Sequence, residues 1–252
     1  MTDRIDGTAP TTHVVVTGVS QGLGEALALE LLGCGIRVLG VGRSSSPRLV
    51  DTGYKFLRCD LAQATMLPAV LEPAFEAIAS QRPSYVCLVN NAATLDPVGV
   101  LGTTEADHIV TSLTVNLAAP VVLASEFCRV FRDDAIERRI VNVSSGAAQS
   151  VLAGESLYCV AKAGLEMLTR TLAAEHDSPR FRAITLRPGI MDTQMQTYAR
   201  TRTKERLPSV DLFKSFHAER QLVAPDVVAR KFVDRLVLAA VEQGRTYSYR
   251  EL

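Results

Sequence analysis

The chain has 252 residues, 47% hydrophobic and 21% charged, which is enough apolar mass for one sizeable core. Its 27 Lys and Arg balance 27 Asp and Glu, so the charge gives no purchase on nucleic acid or an anionic membrane. No apolar run reaches the ~18 residues of a spanning helix, and no membrane role is expected.

Met1 to Thr12 is polar and lacks the basic start and apolar centre of a signal peptide, so it reads as a flexible leader (1–12) before a single catalytic domain (13–252). The strand His13–Thr17 comes first, then Gly18-Val19-Ser20-Gln21-Gly22-Leu23-Gly24, then a helical pattern from Glu25 to Leu32. Strand, glycine turn and helix is the setting in which backbone N–H groups and a helix N-terminus receive a pyrophosphate. Gly18 permits the turn, Gly22 the approach of the ligand, and Gly24 close packing of helix on sheet. A second strand, Ile36–Val41, ends in Gly42-Arg43-Ser44. An acid there would hold the ribose 2′-hydroxyl of NAD. Arg43 and the serines after it suit a 2′-phosphate, so NADP(H) is expected, with NAD(H) the second choice.

The strand Lys55–Arg58 ends at Cys59-Asp60-Leu61, where Asp60 is placed to accept a bond from an adenine amino group. A helix is expected over Gln63–Ser80, interrupted at Pro73. The strand Tyr85–Val89 runs into Asn90-Asn91-Ala92-Ala93. Two helices are expected over Thr103–Thr111 and Val115–Arg132, the second carrying Asn116. A strand from Arg139 ends at Val143, before Ser144-Ser145. The helix that follows, about 156–176, holds Tyr158 and Lys162; the strand Phe181–Leu186 leads to Arg187-Pro188-Gly189. The irregular stretch 191–222 reads as a substrate lid. A helix over Pro225–Val241 and a strand Thr246–Tyr249 finish the chain. Strands and helices alternate throughout. This predicts an α/β fold, a Rossmann-like doubly wound parallel sheet with helices on both faces and ligands at the C-terminal strand ends.

The five cysteines (Cys34, Cys59, Cys87, Cys128, Cys159) are odd in number and lack metal-ligand spacing. Reduced, mostly buried thiols and a cytoplasmic location are expected. No histidine is assigned a metal or catalytic role. The chemistry concentrates instead on Ser145, Tyr158 and Lys162. Tyr158 and Lys162 are one helical turn apart on one face. A nearby ammonium favours a phenolate and lowers a tyrosine pKa from ~10. A hydroxyl at a strand end beside a phenol and an amine makes an acid/base site for a carbonyl or an alcohol.

Thr17-Gly18-x-x-x-Gly22-x-Gly24, Asp60, Asn91-Ala92, Asn116, Ser145, Tyr158-x-x-x-Lys162 and Pro188-Gly189 together resemble the short-chain dehydrogenase/reductase family over essentially the whole chain. Two positions depart from the pattern: Ala93 stands where a glycine is usual, and Gln21 where many NADP-binding members carry a basic residue. The run Pro188-Gly189-Ile190-Met191-Asp192-Thr193-Gln194-Met195-Gln196, with Leu222-Val223-Ala224-Pro225, is similar to the sepiapterin reductase and benzil reductase branch.

The resemblance implies a cofactor site of Gly18, Ser20, Gln21, Gly22, Leu23, Gly24, Arg43, Ser44, Asp60, Leu61, Asn91 and Ala92. Tyr158, Lys162, Pro188, Gly189, Ile190 and Thr193 complete it, the last two near the nicotinamide carboxamide. It implies Tyr158 as general acid, Lys162 holding the nicotinamide ribose, Ser145 donating to the carbonyl oxygen and Asn116 holding a water that links Lys162 to solvent. It also implies a homodimer or homotetramer acting on a small carbonyl substrate. Ser248 falls where sepiapterin reductases carry a pterin-holding aspartate, which favours the benzil side. A pterin-type reductase, an NAD-dependent alcohol dehydrogenase and a non-catalytic dinucleotide-binding regulator are the other readings.

Overall fold

Short hydrophobic runs, most of them followed by a helix, leave the chain one economical arrangement, strands side by side in one direction with the helices packed on the two faces. The computed structural model describes residues 11–252 and has this arrangement. The expected leader falls almost wholly outside the described residues.

In chain order the elements are β1 (Thr12–Thr17), α1 (Gly22–Gly33), β2 (Arg37–Gly42), β3 (Lys55–Arg58), α2 (Leu67–Ala79), β4 (Tyr85–Asn90), α3 (Ala106–Leu113), α4 (Ala119–Val130) and β5 (Glu137–Val143). Then come α5 (Ser156–Glu175), β6 (Phe181–Arg187), α6 (Gln194–Arg200), α7 (Val210–Ala218), α8 (Pro225–Phe232) and β7 (Thr246–Ser248). The seven strands form one sheet in the order β3-β2-β1-β4-β5-β6-β7, with every pair parallel. The order reverses between β1 and β4, and the crevice at such a switch point is where this architecture binds ligands.

Alternation along the strands builds two cores. Val14 and Val16 of β1 face a layer made by Leu23, Leu27 and Leu31 of α1 and Val228 and Phe232 of α8. Val15, between them, faces the opposite layer, where α2 and α4 bring Phe75, Phe127 and Phe131 together. Those three rings sit 5.0–6.3 Å apart at tilted or edge-on angles, worth about 0.5–1.5 kcal/mol per pair beyond area burial.

Several element boundaries differ from expectation. Thr103–Thr111 and Val115–Arg132 are not two helices: residues 106–130 form one continuous helix, with a π-helical stretch at Thr114–Ala118. Its 25 residues pass the length and hydropathy test for a membrane span. Leu123, Ala124 and Phe127 are built into the sheet-facing core, however, which is the ordinary origin of such a helix in a globular fold. The helix expected over Gln63–Ser80 starts with a 3₁₀ turn and becomes α-helical only at Leu67, continuing through Pro73. The last helix stops at Leu238, its final turn also π-helical, and the last strand stops at Ser248. All five thiols are free, but the expectation that most are buried fails: Cys87 is buried, Cys59, Cys128 and Cys159 are half-buried and Cys34 is exposed.

Candidate active site

The C-terminal end of β1 turns through Gly18, whose φ of +73° and contact distance leave no room for a side chain: a Cβ there would lie 2.9 Å from Ala92 Cα. Gly24 is tighter still, since a Cβ would stand 2.1 Å from the Gly18 carbonyl oxygen. The glycines therefore bring the first turn of α1 against the end of β1 and leave its N–H groups facing the crevice. Thr17 locks this turn to the next motif. Its Oγ1 accepts from the N–H groups of Asn91 and Ala92, both at 2.9 Å, and the Asn91 amide donates to the Thr17 carbonyl at 2.8 Å. Asn91 and Ala92 thus serve to join β1 to β4 beneath the crevice.

The crevice encloses about 500 Å³. At one end it is lined by Arg43, Ser44, Asp60 and Leu61, along its floor by Ser20, Gln21, Gly22 and Leu23, and at the other end by Tyr158, Lys162, Pro188 and Thr193. Arg43 is exposed and, among the described residues, has no ion-pair or hydrogen-bond partner. Its neighbour Arg48 is paired with Glu25. One Asp60 oxygen accepts from Ala62 N–H at 3.0 Å and so stabilises its own turn. Gly189, Ile190, Ser145 and Asn116 stand behind the lining rather than on it.

Lys162 is 1% exposed, and its Nζ donates to the Val143 carbonyl at the end of β5 at 2.8 Å. Of its three possible donor bonds this is the single protein one among the described residues, which leaves donor capacity toward the crevice. Nζ lies 5.4 Å from the Tyr158 ring centre. Burial pulls the Lys162 pKa down to about 8. Burial also pushes the Tyr158 phenol up, above its ordinary value, with Ser145 opposing as a hydrogen-bonding neighbour and the Glu155 charge adding to the rise. The expected depression of Tyr158 by Lys162 is therefore absent in the protein alone, because desolvation of the phenolate outweighs an ammonium directed at a backbone carbonyl. A protonated phenol is the form that can give a proton. Ser145 caps the short turn Gly146–Ala148, its Oγ accepting from Ala147 N–H at 3.2 Å.

Asn116 is fully buried in the π-helical stretch. Its Oδ1 accepts from Thr94 N–H and its Nδ2 donates to the Thr94 carbonyl, both at 2.8 Å. The amide is thus engaged in holding the loop after β4. A π-helical turn leaves a backbone carbonyl without its α-helical partner, a feature found often at functional sites.

Sequence reasoning missed a support network behind the site. Ser144 Oγ donates to Glu166 at 2.9 Å, and Arg187 grips both Glu166 oxygens at 2.7 and 2.6 Å. This ties the ends of β5 and β6 to α5, the helix that carries Tyr158 and Lys162. No motif marks it, since Glu166 and Arg187 meet only through the fold. Over the substrate end lies the segment between β6 and α8. It leaves and re-enters through Asp192 N–H to Val223 O and Val223 N–H to Ile190 O, both 2.9 Å. Its Ala199, Leu207 and Val210 pack with Leu95 and Val98 of the loop after β4, and Tyr158, Met195, Tyr198 and Phe213 border that cluster. Tyr198 also donates to Asp96 across the crevice mouth.

The cradle fits a nicotinamide dinucleotide on its own features: Gly18 and Gly24, which leave no room for a side chain, Gly22 at a φ of +60°, an uncommitted cation at the adenosine end, and a lysine with spare donors at the reactive end. The comparisons with known proteins agree. The short chain dehydrogenase family profile matches residues 12–204. Benzil reductase ((S)-benzoin forming) of Bacillus subtilis is 32% identical over 242 residues, covering 94% of this chain and 98% of that protein. Sepiapterin reductase of Meriones unguiculatus is 31% identical over 247 residues, covering 91% and 93%. The crystal structure of the KRED1-Pglu enzyme superposes with a TM-score of 0.82 at 26% identity, covering 94% of this chain and all of that one. The chain belongs to the short-chain dehydrogenase/reductase family of nicotinamide-dependent oxidoreductases, which act on carbonyl and alcohol groups of small molecules.

Proposed function

We propose that the protein is an NADPH-dependent carbonyl reductase acting on apolar ketones or diketones of the benzil type. The observation that carries this reading is the grouping of Tyr158 and Lys162, with Ser145 a hydrogen-bonding neighbour of Tyr158 behind the lining, beneath an apolar lid and at the opposite end of one crevice from an unpaired Arg43. The bound dinucleotide supplies the hydride. Tyr158 Oη gives its proton to the carbonyl oxygen as negative charge develops there, and Ser145 Oγ donates a hydrogen bond to the same oxygen. Lys162 holds the nicotinamide ribose with its remaining N–H donors and, once charged, favours the phenolate that Tyr158 leaves behind. Asn116 fixes the loop after β4 and would hold the water that links Lys162 to solvent.

At the other end, Arg43 pairs with the 2′-phosphate of NADP(H), and no acid of β2 competes for the ribose hydroxyl. Thr193, whose Oγ1 accepts from Gln196 N–H at the start of α6, stands with the Ile190 backbone at the carboxamide position. Ser248 supports the benzil side over the pterin side. It lies at the end of β7 in a capping box with Glu251, so neither its chemistry nor its bonding offers a carboxylate to a guanidine-like edge.

Val110 and Val121 on the long helix and Val160 and Met167 on α5 stay exposed, an apolar face suited to a homodimer or homotetramer. A cytoplasmic location is part of the same proposal. The test of the reductase reading is turnover of benzil and of sepiapterin with NADPH and with NADH. Loss of NADPH with benzil supports it, and turnover confined to sepiapterin assigns the enzyme to the pterin side.

A further inference from the structure

Glu155 has no part in the chemistry above, yet it is 3% exposed, at the position that caps α5, three residues before Tyr158. Among the described residues its carboxyl has one side-chain partner and no cation: Ser209 Oγ donates to Oε1 at 3.1 Å. Ser209 lies in the lid, and its N–H reaches the Ala153 carbonyl at 3.3 Å. Gly154, between Ala153 and Glu155, is packed so closely that a Cβ would meet Pro208 Cδ at 2.8 Å. Its carbonyl accepts from Gly99 N–H at 2.9 Å. Residues 153–155 are therefore a joint where the lid, the loop after β4 and the catalytic helix meet.

A carboxyl buried without a counter-ion favours the neutral acid, because ionising it strands a charge in a poorly solvated place. The surroundings agree. From its own helix Glu155 is faced by Tyr158 and Cys159, both uncharged at neutral pH. From the lid it is faced by Ser209, while the lid's Lys204 and Asp211 pair with each other at 2.9 Å. In the loop after β4, Asp96 is taken by Tyr198, and Glu105 lies at the loop's far end, where α3 begins. Burial accordingly holds Glu155 up at about 7, with Ser209 opposing.

We propose that the lid, joined to the catalytic helix through Ser209, seats over Glu155 as the neutral acid, and that ionisation of Glu155 loosens the lid because a buried charge with no cation beside it draws water into the joint. Glu155 is a positioning residue, and the proposal rests on the stretch 191–222 being the substrate lid. The raised pKa sets the sign. The stabilising contribution is fully present below the ordinary glutamic acid pKa and is lost as pH rises through about 7.

Hydrogen exchange of the lid amides, 194–218, in the full-length protein without ligand tests this, read at about pH 5.5 and about pH 8.5 and corrected for intrinsic rates. The wild type should lose lid protection by about tenfold at the higher pH. Glu155→Gln keeps an acceptor for Ser209 and cannot ionise, so its lid should stay protected at both. Ser209→Ala should loosen the lid already at the lower pH while β1, β4 and β5 keep their protection, and this variant carries the test if Glu155→Gln does not fold. A pH-dependent loss of the same size in Glu155→Gln, or an unchanged lid in Ser209→Ala, overturns the proposal. The measurement needs no substrate, so a failure to reduce ketones would count against the proposed function and leave this result standing.

Discussion

The two ends of the crevice are built by different means. At the cofactor end the backbone does the positioning: Gly18 and Gly24 admit no Cβ, and Thr17 gathers the N–H groups of two residues from the next motif. At the substrate end side chains do it: Tyr198 reaches Asp96 across 102 positions of sequence, and Ser209 reaches Glu155 across 54. A backbone-built site has little freedom to vary. A side-chain-built lid can be re-cut for another substrate without disturbing the sheet. The cofactor end should therefore be brittle and the lid tolerant.

The largest effect tests where the two ends meet. Tyr158→Phe should lower turnover by at least ~100-fold, as loss of a general acid does, with the NADPH dissociation constant nearly unchanged by fluorescence titration. Near-normal turnover would remove Tyr158 from the proposed role. At the cofactor end, Gly24→Ala puts a methyl 2.1 Å from a carbonyl oxygen, and overpacking of this kind costs about 1–3 kcal/mol. A lower melting temperature together with weaker binding of both NADPH and NADH should follow. A variant as stable as the wild type would show that the glycine turn is not constrained as described.

Arg43→Ala should weaken NADPH by about 10- to 100-fold, the loss of one charge-assisted bond, and leave NADH unchanged. Equal losses for the two cofactors would reduce Arg43 to a solvated loop residue. The smallest effect belongs to the lid. Tyr198→Phe removes one bond to Asp96, worth about 0.5–1.5 kcal/mol, so KM for the ketone should rise a few-fold with kcat and the cofactor KM constant. A drop in kcat of the size seen for Tyr158→Phe would mean that the lid takes part in chemistry and the comparison between the ends fails.

The same contrast explains what could be read from the sequence. The succession of strands and helices and the glycine turn were legible because each rests on local constraints, hydrophobic period and steric room, that leave a mark on neighbouring residues. Tyr158 and Lys162 were legible because four positions on a helix is a distance in space. The Ser144–Glu166–Arg187 network, Glu155 and the Tyr198–Asp96 bridge were not, because each joins residues that only the finished fold brings together. The helix from 106 to 130 was read as two, broken between Thr111 and Val115, where the structure instead runs on into a π-helical stretch at Thr114–Ala118. That stretch carries Asn116, whose amide bonds Thr94. The pKa of Tyr158 was misjudged because a neighbouring charge is visible in a sequence and burial is not. Desolvation is the larger influence here.

The most direct test of the account is oxidation of NADPH, followed optically, with benzil as substrate, set beside the same reaction with NADH. The account predicts turnover with NADPH and kcat/KM at least about tenfold lower with NADH, the loss expected when Arg43 has no 2′-phosphate to bind. Equal use of the two cofactors, or cofactor binding with no reduction of benzil, would contradict it.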